Sequence, residues 1–149
     1  MSFSSVIGLA TKAGGEAAGV TADTDLVLAD DVQVIVYAYK ETAVGVPTAA
    51  PVASRTYKVA NGNGSLTESG SEGLMYLAAG KYCFYALSVN ENSQPPVLAE
   101  GSFSETGELT NNTDYIYCKT NATISSTSGE EQEVLLSFSR LSVRIELKV

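Results

Sequence analysis

Glu133-Val134-Leu135-Leu136-Ser137-Phe138-Ser139-Arg140-Leu141-Ser142-Val143-Arg144-Ile145-Glu146-Leu147-Lys148-Val149 decides the fold class. From Leu141 onward the apolar residues Leu141, Val143, Ile145, Leu147 and Val149 alternate with Ser142, Arg144, Glu146 and Lys148. That is the period-2 pattern of a strand with one dry and one wet face. Upstream the phase is opposite, with Val134, Leu136 and Phe138 apolar. A residue must therefore be absorbed by a bulge or bend near Ser139-Arg140. The segment reads as one long kinked strand, or two in series, and as the exit toward whatever domain or subunit follows Val149.

Further upstream, two runs are apolar on both faces. Val32-Gln33-Val34-Ile35-Val36-Tyr37-Ala38-Tyr39-Lys40 is rich in β-branched and aromatic residues, and Gly80-Lys81-Tyr82-Cys83-Phe84-Tyr85-Ala86-Leu87-Ser88-Val89 follows a glycine-led turn. Both read as central strands covered on each side. Leu26-Val27-Leu28, Arg55 to Ala60, Ser65 to Glu68, Leu74 to Leu77 and Asp114 to Thr120 are further short pieces, with Ala122 to Ser125 extending the last and Val97 to Phe103 as an edge strand. The segment from Thr42 to Ala53, with Pro47 and Pro51, reads as a loop, and Asn61-Gly62-Asn63-Gly64 as a hairpin turn. That glycine pattern matches neither nucleotide-binding fingerprint and no helix follows it. Asp30-Asp31 has no metal or acid/base partner motif around it and reads as a solvated turn.

No stretch has sustained helical spacing. Strand patterns recur roughly every 12 to 20 residues between turns, which predicts two packed antiparallel sheets of about seven strands, a β-sandwich. At 149 residues the chain fits one domain with a core of its own. Near the start, Phe3, Val6, Ile7 and Leu9 make a short apolar segment, and Ala13-Gly14-Gly15-Glu16-Ala17-Ala18-Gly19 is a loose small-residue linker. A first strand on such a tether is one that can be lost.

Composition narrows the function. The net charge is −8, and the nine basic residues are scattered, so no phosphate-neutralising face forms and nucleic acid is not a partner. Histidine is absent, which removes His-containing triads and His-based metal sites. Without a nucleophile motif or metal-ligand spacing, the chain reads as no enzyme, with no cofactor. Cys83 and Cys118 lie within apolar strand patterns, either as free buried thiols or as one inter-strand bridge. The eight tyrosines read as sheet packing with the hydroxyl at the rim, or as a sugar-stacking platform. No run is long enough to span a membrane. Met1-Ser2-Phe3-Ser4-Ser5 has no signal-peptide pattern, so the expectation is either an intracellular protein or one whose export signal lies outside this sequence.

Three motifs then carry a resemblance: Tyr76-Leu77-Ala78-Ala79-Gly80-Lys81-Tyr82-Cys83-Phe84-Tyr85-Ala86, then Leu109-Thr110-Asn111-Asn112-Thr113-Asp114-Tyr115-Ile116, then Val134 to Ile145. In order and spacing they resemble the N-terminal domain of Bacteroidetes fimbrillin-like proteins. The resemblance implies a transthyretin-like Greek-key sandwich and export to the cell surface or outer membrane as a lipoprotein precursor. It implies use as a pilus subunit or tip adhesin, with other pilus subunits and surface glycans or proteins as partners. It also implies assembly by removal of the first strand and insertion of a neighbour's, a form of β-augmentation. On this sequence the first 12 residues would hold the removable strand, Ser5 to Thr11, carrying Val6, Ile7 and Leu9, with 13–24 as linker. The processing bond would be Lys12-Ala13, where the family usually has Arg-Ala. The family's lipidation cysteine is expected outside this sequence, and its second domain is expected either to follow Val149 or to be lacking in a one-domain variant. The runner-up is a cell-surface carbohydrate-binding β-sandwich module, favoured if Tyr37, Tyr57, Tyr76 or Tyr115 line an exposed flat face. A third reading is an intracellular or phage structural β-domain.

Overall fold

Residues 34–39 show why the chain forms sheet: their side chains alternate between two dry environments. Val34, Val36 and Ala38 point into the main core, while Tyr37 and Tyr39 are covered on the other face by Cys83 and Leu87. A strand buried on both sides needs apolar residues at successive positions, and that is what the sequence supplies. The computed structural model describes residues 2–7, 26–71, 73–98, 106–107, 109–125 and 132–141. Its strands are β1 (Ser2–Ile7), β2 (Leu26–Val27), β3 (Gln33–Ala43), β4 (Val46–Pro47), β5 (Ala53–Ala60), β6 (Ser65–Glu68), β7 (Gly80–Ser88), β8 (Ile116–Ile124) and β9 (Glu133–Arg140). No helix occurs among the described residues.

The strands follow a closed path, β1-β6-β5-β3-β7-β8-β9, and β9 pairs with β1 again to complete a seven-strand barrel. β2 pairs with the far end of β1, and β4 folds back on β3. The all-β expectation holds, but the two separate antiparallel sheets are replaced by one ring, and its closing pair, β1 with β9, is parallel. Closure removes the open edges that a sheet otherwise exposes. The core inside the ring gathers Phe3, Tyr57, Met75, Tyr82, Phe84, Ile116, Leu136 and Phe138.

Local chemistry fixes the turns. Asn61 and Gly62 both adopt positive φ, 66° and 63°, the conformation that a tight hairpin between twisted strands demands. Asp30 accepts a hydrogen bond from the Gly62 amide at 2.9 Å, and Asp31 sits at φ 68° with its amide bonded to Val59 O at 2.8 Å. The Asp30-Asp31 pair is therefore a turn that clasps a second turn.

Three strand boundaries differ from the sequence reading. The expected loop from Thr42 contains the end of β3 and the short β4, reversed at Gly45, whose amide bonds the Glu41 carboxylate. β8 begins at Ile116 rather than Asp114 and, as expected, continues through Ala122 to Ile124, because its inward positions Ile116, Cys118 and Ile124 keep one phase. The expected edge strand at 97–103 is represented by one bridge, Leu98 to Thr106, while 99–105 fall outside the described residues.

In β9 the alternation appears as read, with Val134, Leu136 and Phe138 buried and the residues between them exposed. Regular pairing stops at Arg140, whose guanidinium pairs with Asp114 at 3.1 Å, and Leu141 is a half-exposed bend. The alternating segment from Ser142 to Val149 lies outside the described residues.

Candidate functional site: the slot filled by the first strand

β1 is short and serine-rich, yet it is where the barrel closes. On one side it runs parallel to β9 from Ser2 opposite Glu133 to Ile7 opposite Phe138. On the other it is shared by two partners, β6 at Phe3-Ser4 and β2 at Val6-Ile7, both antiparallel. The strand is held by main-chain bonds on both sides, as an inserted strand would be.

Among the β1 residues whose side chains are described, Phe3 and Ser5 point inward, set two apart by the strand pleat. Phe3 meets Tyr57 with ring centroids 5.4 Å apart at 59°, and Phe84 at 5.6 Å and 71°. Both are tilted or edge-to-face contacts of the kind that aromatic quadrupoles favour. Tyr57 is fixed in turn by the Met75 amide, which donates to its hydroxyl at 3.3 Å, and burial pushes its phenol pKa up.

Ser5 is buried completely, and its polar atoms are satisfied at one acceptor. Both its amide and its hydroxyl donate to Gly64 O, each at 2.8 Å. Gly64 has φ +77°, and a Cβ built on it would lie 2.3 Å from Ser5 O and 3.3 Å from Val27 Cβ. The last glycine of the Asn-Gly-Asn-Gly turn therefore lets the β5–β6 hairpin backbone lie directly against β1.

Of the residues assigned from sequence to a removable strand, Val6 and Ile7 lie on β1, while Leu9 and the Lys12-Ala13 bond fall outside the described residues. The strand begins at Ser2, so Phe3 and Ser5 supply side chains to the slot. Ser5, the first residue of the expected strand, was not legible as an inward one, because an inward serine breaks the apolar alternation that marks a strand.

The cysteines stand on opposite faces and are free. Cys118 is in the barrel core and Cys83 in the outer cluster with Tyr37 and Tyr39. Neighbouring strands put them in different layers, so the bridge left open by the sequence is not made. Burial pushes the Cys118 thiol up to about 11.

The tyrosine platform is not formed by the four residues named for it. Tyr37, Tyr57 and Tyr115 are buried, and Tyr76 alone of the four is open, at 82% exposure. The outer face carries instead a groove of about 310 Å³ lined by residues including Leu87, Leu98, Leu109, Tyr117 and Leu141.

A family model described as fimbrillin-like matches residues 20–149. β1 precedes the matched residues, whereas the strands that form its slot lie within them. No match was found to a curated protein or to a solved structure.

Proposed function

The chain belongs to the fimbrillin-like family, and we propose that it is a structural subunit or tip component of a cell-surface fimbria, built into the polymer by exchange of β1 for a strand of another subunit. The observation that carries this reading is the position of β1. It completes the ring, it makes the one parallel pairing among the described residues, and residues 8–25 lie between it and the next described strand. Taking it out would bare the edges of β9 and β6 together with the side-chain cavity between Tyr57 and Phe84. Main-chain hydrogen bonds along such edges would supply affinity for a replacement strand, and the cavities would supply register.

In this reading the protein is exported as a lipoprotein precursor to the outer membrane, and the domain is a fimbrillin-like N-terminal domain. Cleavage at Lys12-Ala13 would release β1 and leave the linker and β2 with the body. The acidic surface, with a net charge of −8, would keep subunits soluble before assembly. Surface polymers sheared from cells provide the test. Recovery of the chain in them with a new N-terminus at Ala13 is the expected result. Recovery with Phe3 still attached would remove the processing step, and absence from the polymer would remove the subunit assignment.

A further inference from the structure

We propose that the β1 slot selects its strand by two side chains, an aromatic ring at the Phe3 position and a small hydroxyl residue two places on at the Ser5 position, in a strand running parallel to β9. The inference rests on the strand-exchange reading and adds what the incoming segment of another subunit must carry.

The ring requirement follows from the cavity. Phe3 is 2% exposed and fills the space between Tyr57 and Phe84, so a small residue there leaves a void lined by aromatic faces. The hydroxyl requirement follows from Gly64. Its carbonyl receives both the amide and the hydroxyl of residue 5, and its own lack of a side chain lets the two backbones touch. Valine at that position adds bulk where the packing is closed and withdraws one of the two donors from a buried oxygen. Alanine withdraws the donor without adding bulk.

Together the two positions fix register. A slip of one residue turns both side chains outward, and a slip of two drives a ring against Gly64. Main-chain pairing alone does not distinguish these registers, because it is available to any extended segment. The pattern aromatic-x-serine occurs once in the 149 residues, at Phe3-x-Ser5. The alternating segment Leu141 to Val149 places Leu, Val, Ile, Leu and Val on its apolar face, with neither ring nor hydroxyl. A second copy of that segment is therefore the wrong shape for this slot, and the matching strand comes from a partner that carries the pattern.

The test uses the full chain with a specific protease site placed within residues 13–24 and a fluorophore at the N-terminus. The folded protein is nicked, and the labelled strand is displaced with unlabelled peptides. Should nicking release the strand by itself, the emptied slot is titrated with the same peptides and the same ranking applies. A peptide of residues 1–12 is expected to compete fully. Its Ser5→Val and Phe3→Ala forms should need concentrations about tenfold higher or more, and a peptide of residues 141–149 should not compete in that range. Equal competition by the Ser5→Val form, or by 141–149, overturns the selection rule and leaves strand exchange standing. Failure of every peptide, the parent included, overturns strand exchange and the rule with it.

Discussion

β7 and β1 send phenylalanines into the same core, Phe84 and Phe3, whose rings touch at 5.6 Å, but the two strands are held in different ways. β7 is antiparallel to both neighbours, paired over six residues with β3 and nine with β8, and covered on both faces. β1 pairs over two residues each with β6 and β2 and over six in parallel with β9. Its latch to Gly64 spans 59 residues of sequence. Long-range closure of that kind gains nothing until its partners, β6 and β9, are in place. In the proposed strand exchange, that difference separates a permanent wall from a replaceable one.

The largest expected effect tests that separation with the two touching rings. Phe84→Ala should cost about 3–5 kcal/mol of global stability, because it opens a cavity in the permanent wall. Phe3→Ala opens a comparable cavity, yet its cost in chemical denaturation should level off at the free energy of detaching β1. Equal losses for the two, with unchanged denaturant slope, would make β1 as integral as β7.

Gly64→Ala comes next. Left-handed strain and collision with Ser5 O together should cost roughly 2–4 kcal/mol. Gly62→Ala has a similar φ but nothing within 4 Å of its Cβ, so only strain of roughly 1–2 kcal/mol should appear. Thermal melts of the pair isolate the close approach of β6 to β1. Ser5→Ala is smaller still, about 1 kcal/mol for one buried hydrogen bond.

The last effect is absent at neutral pH. The Cys118 thiol is held up near 11 by burial, and burial likewise raises Tyr57 and Tyr37. The folded state thus keeps protons that the unfolded chain releases, so stability is full below the unfolded thiol value of about 8.5. It falls as pH rises toward 11. Cys118→Ala should flatten the thiol part of that decline in alkaline melts, and an unchanged slope would deny the burial effect.

The permanent wall was the readable part of this sequence. β3 and β7 announce themselves as two-face apolar runs, and β9 by the alternation of Val134, Leu136 and Phe138. A sandwich and a barrel demand the same alternation, so nothing in those runs says whether the ring closes. Closure depends on β1, where the buried Ser5 interrupts the apolar alternation that begins at Phe3. Gly64 could be read as a turn glycine, but its approach to Ser5 joins residues far apart in sequence and is visible only in three dimensions.

Native-state hydrogen exchange measures the central claim most directly, by comparing the Ser5 amide, bonded to Gly64 O, with the amides of Ala38 and Ala86 in the β3–β7 wall. A replaceable strand predicts that Ser5 exchanges through an opening of lower free energy and weaker denaturant dependence than Ala38 and Ala86. The same opening free energy and the same denaturant slope at all three amides would contradict it.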